Sequence, residues 1–177
     1  SETYVAFQNP VYVMIKPAGA SCNLACDYCY YLEKKNLYAE SKRHLITDEL
    51  LEKFTKEYIE LQTSDSVLFT WHGGEPMMRP VKFYDRADLA DFMNGVGVAA
   101  ENAGNKHIDN CFQTNGTLIT DEWARFFKKN NFLVGVSIDG TQDMHDCYRR
   151  NRFGKASWEQ VMRGIRTLNR HDVMWNA

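Results

Sequence analysis

Cys22, Cys26 and Cys29 stand at C-x3-C-x2-C spacing inside the stretch GASCNLACDYCYYLEK. Four cysteine thiolates would close every iron of a cubane iron–sulfur cluster. Three leave one iron without a protein ligand, and an open iron can bind a small molecule. The spacing therefore points to cluster chemistry that goes beyond electron storage. A zinc site completed by a histidine such as His44 is the other reading, because structural zinc prefers four closed nitrogen and sulfur ligands. Such sites usually show paired C-x2-C halves, and the chain carries no second half.

Three further polar stretches stand out. In WHGGEPMM (71–78), Gly73 and Gly74 allow backbone conformations and close approaches that a β-carbon would block. Backbone groups there can meet a ligand directly, or the pair can simply make a tight turn before Pro76. QTNGTLIT (113–120) offers the amides of Gln113 and Asn115, which can face a substrate or cap a turn. VGVSIDG (134–140) ends in Asp139-Gly140 and is followed by HDCYRRNRFG (145–154). Arg149 has the planar fork that suits a carboxylate, but it sits beside Arg150 and Arg152, and a solvated charge cluster is the simpler use of all three. Asp139 is expected to organise its loop. Cys111 and Cys147 have no motif around them and are expected to be buried thiols.

The elements that must position these residues alternate along the chain. VYVMI (11–15) reads as a strand leading into the cysteine loop. A helix is expected from Thr47, capped by its hydroxyl, with Leu50, Leu51, Phe54, Tyr58 and Leu61 at helical spacing. SVLFT (66–70) reads as a buried strand that runs into the glycine pair, and residues 81–102 carry a loosely helical pattern. HIDNCFQ (107–113) is the next strand, followed by a helix capped by Thr120 that carries Trp123, Phe126 and Phe127. FLVGVSI (132–138) is the clearest strand; Ser157 and Gln160 predict a capping box for a helix with Val161, Ile165 and Leu168. DVMWNA (172–177) begins another strand. Alternation of apolar strands with helices predicts an α/β fold: a parallel sheet with helices over its outer face. Each polar motif follows a strand, which puts it on the carboxyl rim where barrel-type folds do chemistry.

Taken in order, the cysteine triplet with Tyr28, the WHGGEPMM stretch, QTNG and SIDG resemble the radical S-adenosylmethionine (SAM) enzymes, and within them the anaerobic sulfatase-maturating family. The resemblance runs from Val11 to Ala177. It implies the N-terminal portion of a partial (βα)6 barrel, with about four βα units and a fifth strand making one incomplete domain over 1–177. It implies a [4Fe–4S] cluster on Cys22, Cys26 and Cys29, and SAM bound at its open iron and cleaved to a 5′-deoxyadenosyl radical. Tyr28 would contact the adenine, or else pack within its loop. Gly73, Gly74 and Glu75 would hold the amino group of SAM, with His72 where some members carry Gln. Ser137 and Arg149 would contact its carboxylate; Tyr31, Gln113 and Asn115 would face the peptide. The reaction implied is oxidation of a Cys or Ser in an unfolded sulfatase segment to Cα-formylglycine, with an electron donor as further partner. A maturase of another ribosomal peptide and a non-catalytic zinc-binding module are the alternatives. The family's catalytic base and auxiliary clusters lie beyond residue 177, so this chain is expected to fold without maturing a peptide and to self-associate through an exposed sheet edge.

Composition sets the remaining bounds. With 177 residues, 44% hydrophobic and 25% charged, the chain has room for one domain with a core. Its net charge of −2, from 21 basic and 23 acidic residues, carries no footprint for nucleic acid. No apolar run reaches bilayer length and no basic-then-apolar leader is legible. Five cysteines, three of them crowded together, argue against a disulfide framework and for the cytoplasm.

Overall fold

The computed structural model describes residues 8–34, 45–85 and 106–177. Five strands form one wholly parallel sheet in the order β1-β2-β3-β4-β5: β1 (Val13–Ile15), β2 (Ser66–Trp71), β3 (His107–Thr114), β4 (Leu133–Val136) and β5 (Trp175–Asn176). Sequence order and spatial order coincide, as they do when each crossover lies on the same face. The register aligns Ile15 with Trp71, Trp71 with Phe112, Phe112 with Val134 and Val134 with Trp175. This row points toward the helices. The strand ends therefore come level, and the polar motifs that follow them share one rim.

Six α-helical segments accompany the strands among the described residues: α1 (Tyr31–Lys34), α2 (Asp48–Leu61), α3 (Val81–Tyr84), α4 (Asp121–Lys129), α5 (Gln142–Tyr148) and α6 (Trp158–Arg170). Thr47 and Thr120 cap α2 and α4 through their hydroxyls, accepting from the amides of Leu50 and Trp123. These caps match the sequence expectation. The core lies between sheet and helices and is rich in aromatic rings. Phe112 packs against Trp123, Phe127 and Phe132 with ring centroids 5.5, 5.0 and 6.3 Å away. No helix among the described residues is long and apolar enough to cross a membrane.

Several expectations need correction. The buried face of α2 is Leu51, Thr55, Tyr58 and Ile59, and Leu50 is exposed. Leu50 lies in the first turn, where Thr47 binds its amide, and the helix face that follows turns the next residue inward. Cys147 is exposed and Cys111 half-buried, so neither is the fully buried thiol expected. Beyond Tyr84, the helical pattern expected over 81–102 lies mostly outside the described residues, as does His44. The capping box of Ser157 and Gln160 does not form, because Ser157 makes no side-chain cap bond. Its hydroxyl donates instead to the carbonyl of Arg149 at 2.6 Å. The cap comes from a residue eleven positions earlier: Asp146 Oδ1 accepts from the amides of Ser157 and Trp158, at 3.1 and 2.9 Å.

Candidate cofactor site on the carboxyl rim

The cysteine loop leaves β1 and is held from three directions. On its first side, the ribbon after β2 runs along it: the amide of Gly74 donates to the carbonyl of Gly19 at 2.9 Å, and that of Glu75 to Ser21 at 2.7 Å. This explains the glycine pair. A β-carbon on Gly74 would sit 2.3 Å from the Ser21 carbonyl oxygen and 2.6 Å from that of Ala20. Gly73 has φ +136°, a conformation L side chains rarely adopt, and its β-carbon would lie 2.9 Å from the Gly19 oxygen. What the two glycines meet is the cysteine loop's own backbone. An amine donor from a ligand would need acceptors, which in this ribbon means carbonyl oxygens.

On the second side, the segment after α5 pairs with the loop. Ala25 and Asp27 donate their amides to the carbonyls of Arg150 and Tyr148, at 2.8 and 3.1 Å, and Leu24 bridges Asn151 in antiparallel fashion. From below, the loop after β3 supports its middle. Asn23 Nδ2 donates to Thr117 Oγ1 at 2.8 Å, and Asn115 Nδ2 donates to Asn23 Oδ1 at 2.9 Å. Asn115 Oδ1 in turn accepts from the amide and hydroxyl of Thr117. Asn115 is only 7% exposed. Both ends of its amide are thus committed to the cysteine loop and its own turn, away from an open peptide-facing surface.

The three thiols share this loop, and none is in a disulfide. Burial pushes the Cys26 thiol up to about 11, with Arg149 opposing it. Burial also raises Cys22, whose sulfur accepts from the Leu24 amide at 3.3 Å and from Asn115 Nδ2 at 3.6 Å. Hydrogen bonds to ligand sulfur are one of the means by which proteins set cluster potentials. Among the described residues no three His, Cys, Asp or Glu side chains gather closely enough to share a single metal ion. Three free thiols on one loop, with two N–H donors turned to Cys22 Sγ, are a donor set that a three-cysteine cluster can take.

Around the thiols the other predicted residues fall into two groups. Tyr28 is 55% exposed, donates its hydroxyl to Asp139 Oδ2, and has the Arg149 guanidinium 5.5 Å from its ring centroid. Arg149, with a side chain 14% exposed, donates to both Asp139 oxygens, at 2.8 and 3.4 Å. Burial favours the protonated form of Asp139, but the hydrogen bonds from Arg149 and Tyr28 outweigh it and hold the carboxyl below its usual range. Asp139 thus ties the cysteine loop, the end of β4 and the end of α5 together, and it occupies the guanidinium that the resemblance assigns to a SAM carboxylate. Ser137 accepts from Gln113 Nε2 at 2.9 Å on the inner sheet face. Gly135 lies beneath that amide, and a β-carbon there would stand 2.2 Å from Gln113 Oε1. Tyr31 lies under Lys16, whose ammonium is 4.5 Å from the ring centroid.

Glu75 and His72 differ from their neighbours. The Glu75 side chain is fully buried and turned under the rim. Its oxygens accept from Thr114 Oγ1 and the amides of Met77 and Asn115, at 2.8, 3.0 and 2.8 Å. Burial raises its pKa to about 7 against the pull of those donors. Glu75 therefore braces the ribbon against β3 and can reach a ligand only through its backbone. His72 faces the inner side next to Lys16; burial lowers its pKa against the pull of the Gly73 backbone, and its buried Nδ1 makes no well-formed hydrogen bond. An under-satisfied polar atom on this rim fits a ligand that supplies its partner.

Sequence reasoning did not single out His145. It is fully buried, accepts at Nδ1 from the Asp139 amide at 3.3 Å and meets Ser157 Oγ at Nε2 at 2.9 Å. Because the Ser157 hydroxyl gives its hydrogen to Arg149, His145 must be the Nε2–H neutral tautomer. Its only sequence signal was its place opening the HDCYRR stretch.

A family model described as the radical SAM superfamily matches residues 17–174. The chain is 58% identical over 99% of its length to a serine-type anaerobic sulfatase-maturating enzyme of Bacteroides thetaiotaomicron, of which it covers 40%. It is 38% identical over 93% of its length to a cysteine-type anaerobic sulfatase-maturating enzyme of Clostridium novyi, covering 42%. The chain thus spans about two fifths of these relatives. Among solved structures, anSMEcpe with bound AdoMet and the Cp18Cys peptide superposes with a TM-score of 0.78 at 32% identity, over 94% of this chain and 42% of that one. SuiB of Streptococcus suis bound to its precursor peptide SuiA, at 14% identity and a TM-score of 0.58, shares the fold alone.

Proposed function

From the premise that this chain belongs to the radical SAM superfamily, we propose that residues 1–177 form the cofactor-holding part of an anaerobic sulfatase-maturating enzyme's radical SAM domain. The observation that carries this reading is the three-sided grip on the loop that bears Cys22, Cys26 and Cys29. Cys22, Cys26 and Cys29 would hold a [4Fe–4S] cluster with one iron left for SAM. Cluster and SAM together would supply hydrogen abstraction through one-electron cleavage of the SAM sulfonium.

The chain's own groups bind and orient. The ribbon Gly73-Gly74-Glu75 would offer carbonyl oxygens to the SAM amine, and His72 Nδ1 would find its partner there. Ser137 would meet the carboxylate. Arg149 would serve it while Asp139 holds the guanidinium in plane, and Tyr28, fixed by the same carboxylate, would lie against the adenine. Gln113 and Tyr31, farther along the inner face, would meet the peptide; Asn115 would act on the cluster through its hydrogen bond to Cys22.

The 58% identity to one serine-type relative favours a serine in a sulfatase segment as the residue oxidised to formylglycine, while the serine-type enzyme of Klebsiella aerogenes, at 35%, stands below the cysteine-type one at 38%. An electron donor is needed for each turnover, and the odd count of unpaired thiols favours the cytoplasm. Anaerobic reconstitution tests the core of the proposal. The expected outcome is about four irons and four sulfides per chain, with 5′-deoxyadenosine released from SAM under dithionite. Stoichiometric zinc in place of iron and sulfide would overturn it. Mass spectrometry of serine- and cysteine-containing sulfatase peptides then separates the substrate types.

A further inference from the structure

Two basic elements, neither of them assigned a task in SAM binding, flank the Cys22–Asn23 dipeptide. One is the turn at 150–155, which carries Arg150, Arg152 and Lys155 around a Phe153 that is 88% exposed. It is fixed to the cysteine loop, because Arg152 donates to the Cys22 carbonyl at 2.7 Å. The other is the exposed stripe of α6, where Arg163 donates to the Thr117 carbonyl at 3.3 Å and Thr117 holds Asn23. Arg163, Arg166 and Arg170 line a cleft of about 510 Å³ beside α4. The carboxylate in that cleft, Asp121, is already bound by Arg170 and His171. Glu159 lies in the first turn of α6, and the Asp146 carboxylate is taken up in capping that helix. In a chain with net charge −2, this concentration of cations is local.

We propose that this face, from the 150–155 turn to the α6 stripe, docks an acidic one-electron carrier protein and is the electron entry to the site. The proposal rests on the cluster reading above. The cations would steer and orient an acidic partner, and Phe153 would supply an apolar anchor inside the polar rim. One electron leaves the carrier, which is oxidised by one unit, and enters the cluster held by Cys22, Cys26 and Cys29. Cys22 is the ligand tied to the face by hydrogen bonds, since its carbonyl is held by Arg152 and its neighbour Asn23 by Thr117. No bond or proton moves at the surface.

Among the described residues, the side chains of Lys155 and Arg166 make no hydrogen bond or ion pair, so changing them removes charge without removing a brace. The test uses the reconstituted chain, flavodoxin as probe, and the double variant Lys155→Glu/Arg166→Glu. Calorimetry should show flavodoxin binding that weakens at least about tenfold in the variant and falls in the parent as salt rises from about 0.05 to about 0.3 M. Stopped-flow reduction by reduced flavodoxin should slow in parallel, while reduction by dithionite stays unchanged. Equal affinity in parent and variant, or binding indifferent to salt, would overturn the proposal. So would an equal slowing with dithionite, which would place the defect in the cluster. A preparation that takes up no iron would count against the cluster reading, while the calorimetric comparison would still decide the docking face.

Discussion

At the scale of single residues, most of the chemistry depends on what lies within a few ångströms of the cysteine loop. Cys22→Ala, Cys26→Ala and Cys29→Ala should each abolish stable cluster reconstitution, whereas Cys111→Ala and Cys147→Ala should leave iron content unchanged. Iron and sulfide analysis after anaerobic reconstitution reads this directly. Gly74→Ala is a stricter test of the geometry, because its new β-carbon would meet the Ser21 and Ala20 backbone oxygens and not a flexible side chain. The ribbon and the loop must separate, at a cost of about 2–3 kcal/mol in denaturant titration, and SAM affinity should fall with it. A variant of unchanged stability would show that the loop and ribbon do not pack as closely as described. His145 adds a pH dependence. It is held neutral in the fold, by burial first and then by Arg149, with Asp146 and Asp139 opposing. The unfolded chain takes up its proton near the ordinary value, about 6.5. Its contribution to stability is therefore complete above about pH 6.5 and is lost as pH falls through the lower folded value. Melting temperatures between about pH 7.5 and 5 should show this slope, reduced in His145→Gln.

At the scale of elements, the rim is assembled by a few close approaches. Helix α6 carries Gly164 against the loop after β3, where a β-carbon would stand 2.3 Å from the Gly116 carbonyl oxygen. Its N-terminus is capped by Asp146 from α5, which couples that helix to the segment pairing with the cysteine loop. Asp146→Ala should cost about 1–2 kcal/mol, in the range of lost helix caps. Urea titration followed by circular dichroism checks the size. Ser157→Ala, which would be the damaging change if Ser157 capped the helix, should act instead by releasing His145 and the Arg149 carbonyl. Its mark would be a changed His145 titration, seen by nuclear magnetic resonance. The periodic elements were legible from the sequence: the strands at 66–71 and 107–114 and the helices after Thr47 and Thr120 follow from apolar patterning and local caps. Helix α5 was not, because its exposed residues present no apolar stripe and only His145 is buried.

At the scale of the whole molecule, the sheet has two edges, β1 and β5, and an inner face that exposes Tyr12, Met14 and Met174. Parallel sheets ordinarily have both faces covered, and unpaired edges recruit other strands. The isolated chain is therefore expected to self-associate, with a sedimentation coefficient that rises with concentration in analytical ultracentrifugation. Monomeric behaviour across the concentration range would contradict this.

The sequence by itself determined the order of strands and helices, the parallel sheet and the position of every polar motif after a strand. Those properties depend on residue type and short-range spacing, as does the clustering of Cys22, Cys26 and Cys29. The tertiary structure decided what each motif touches. Gly73 and Gly74 are glycines because the Gly19–Ser21 backbone lies against them, Asn115 serves the cysteine loop, Asp139 holds both Tyr28 and Arg149, and Asp146 takes the cap that Ser157 leaves. Many of these partners stand tens of residues away in the chain. A hydrogen bond or a steric contact between such residues leaves no periodicity or spacing to read, and only the packing of β3, β4 and α6 beneath the rim brings them together.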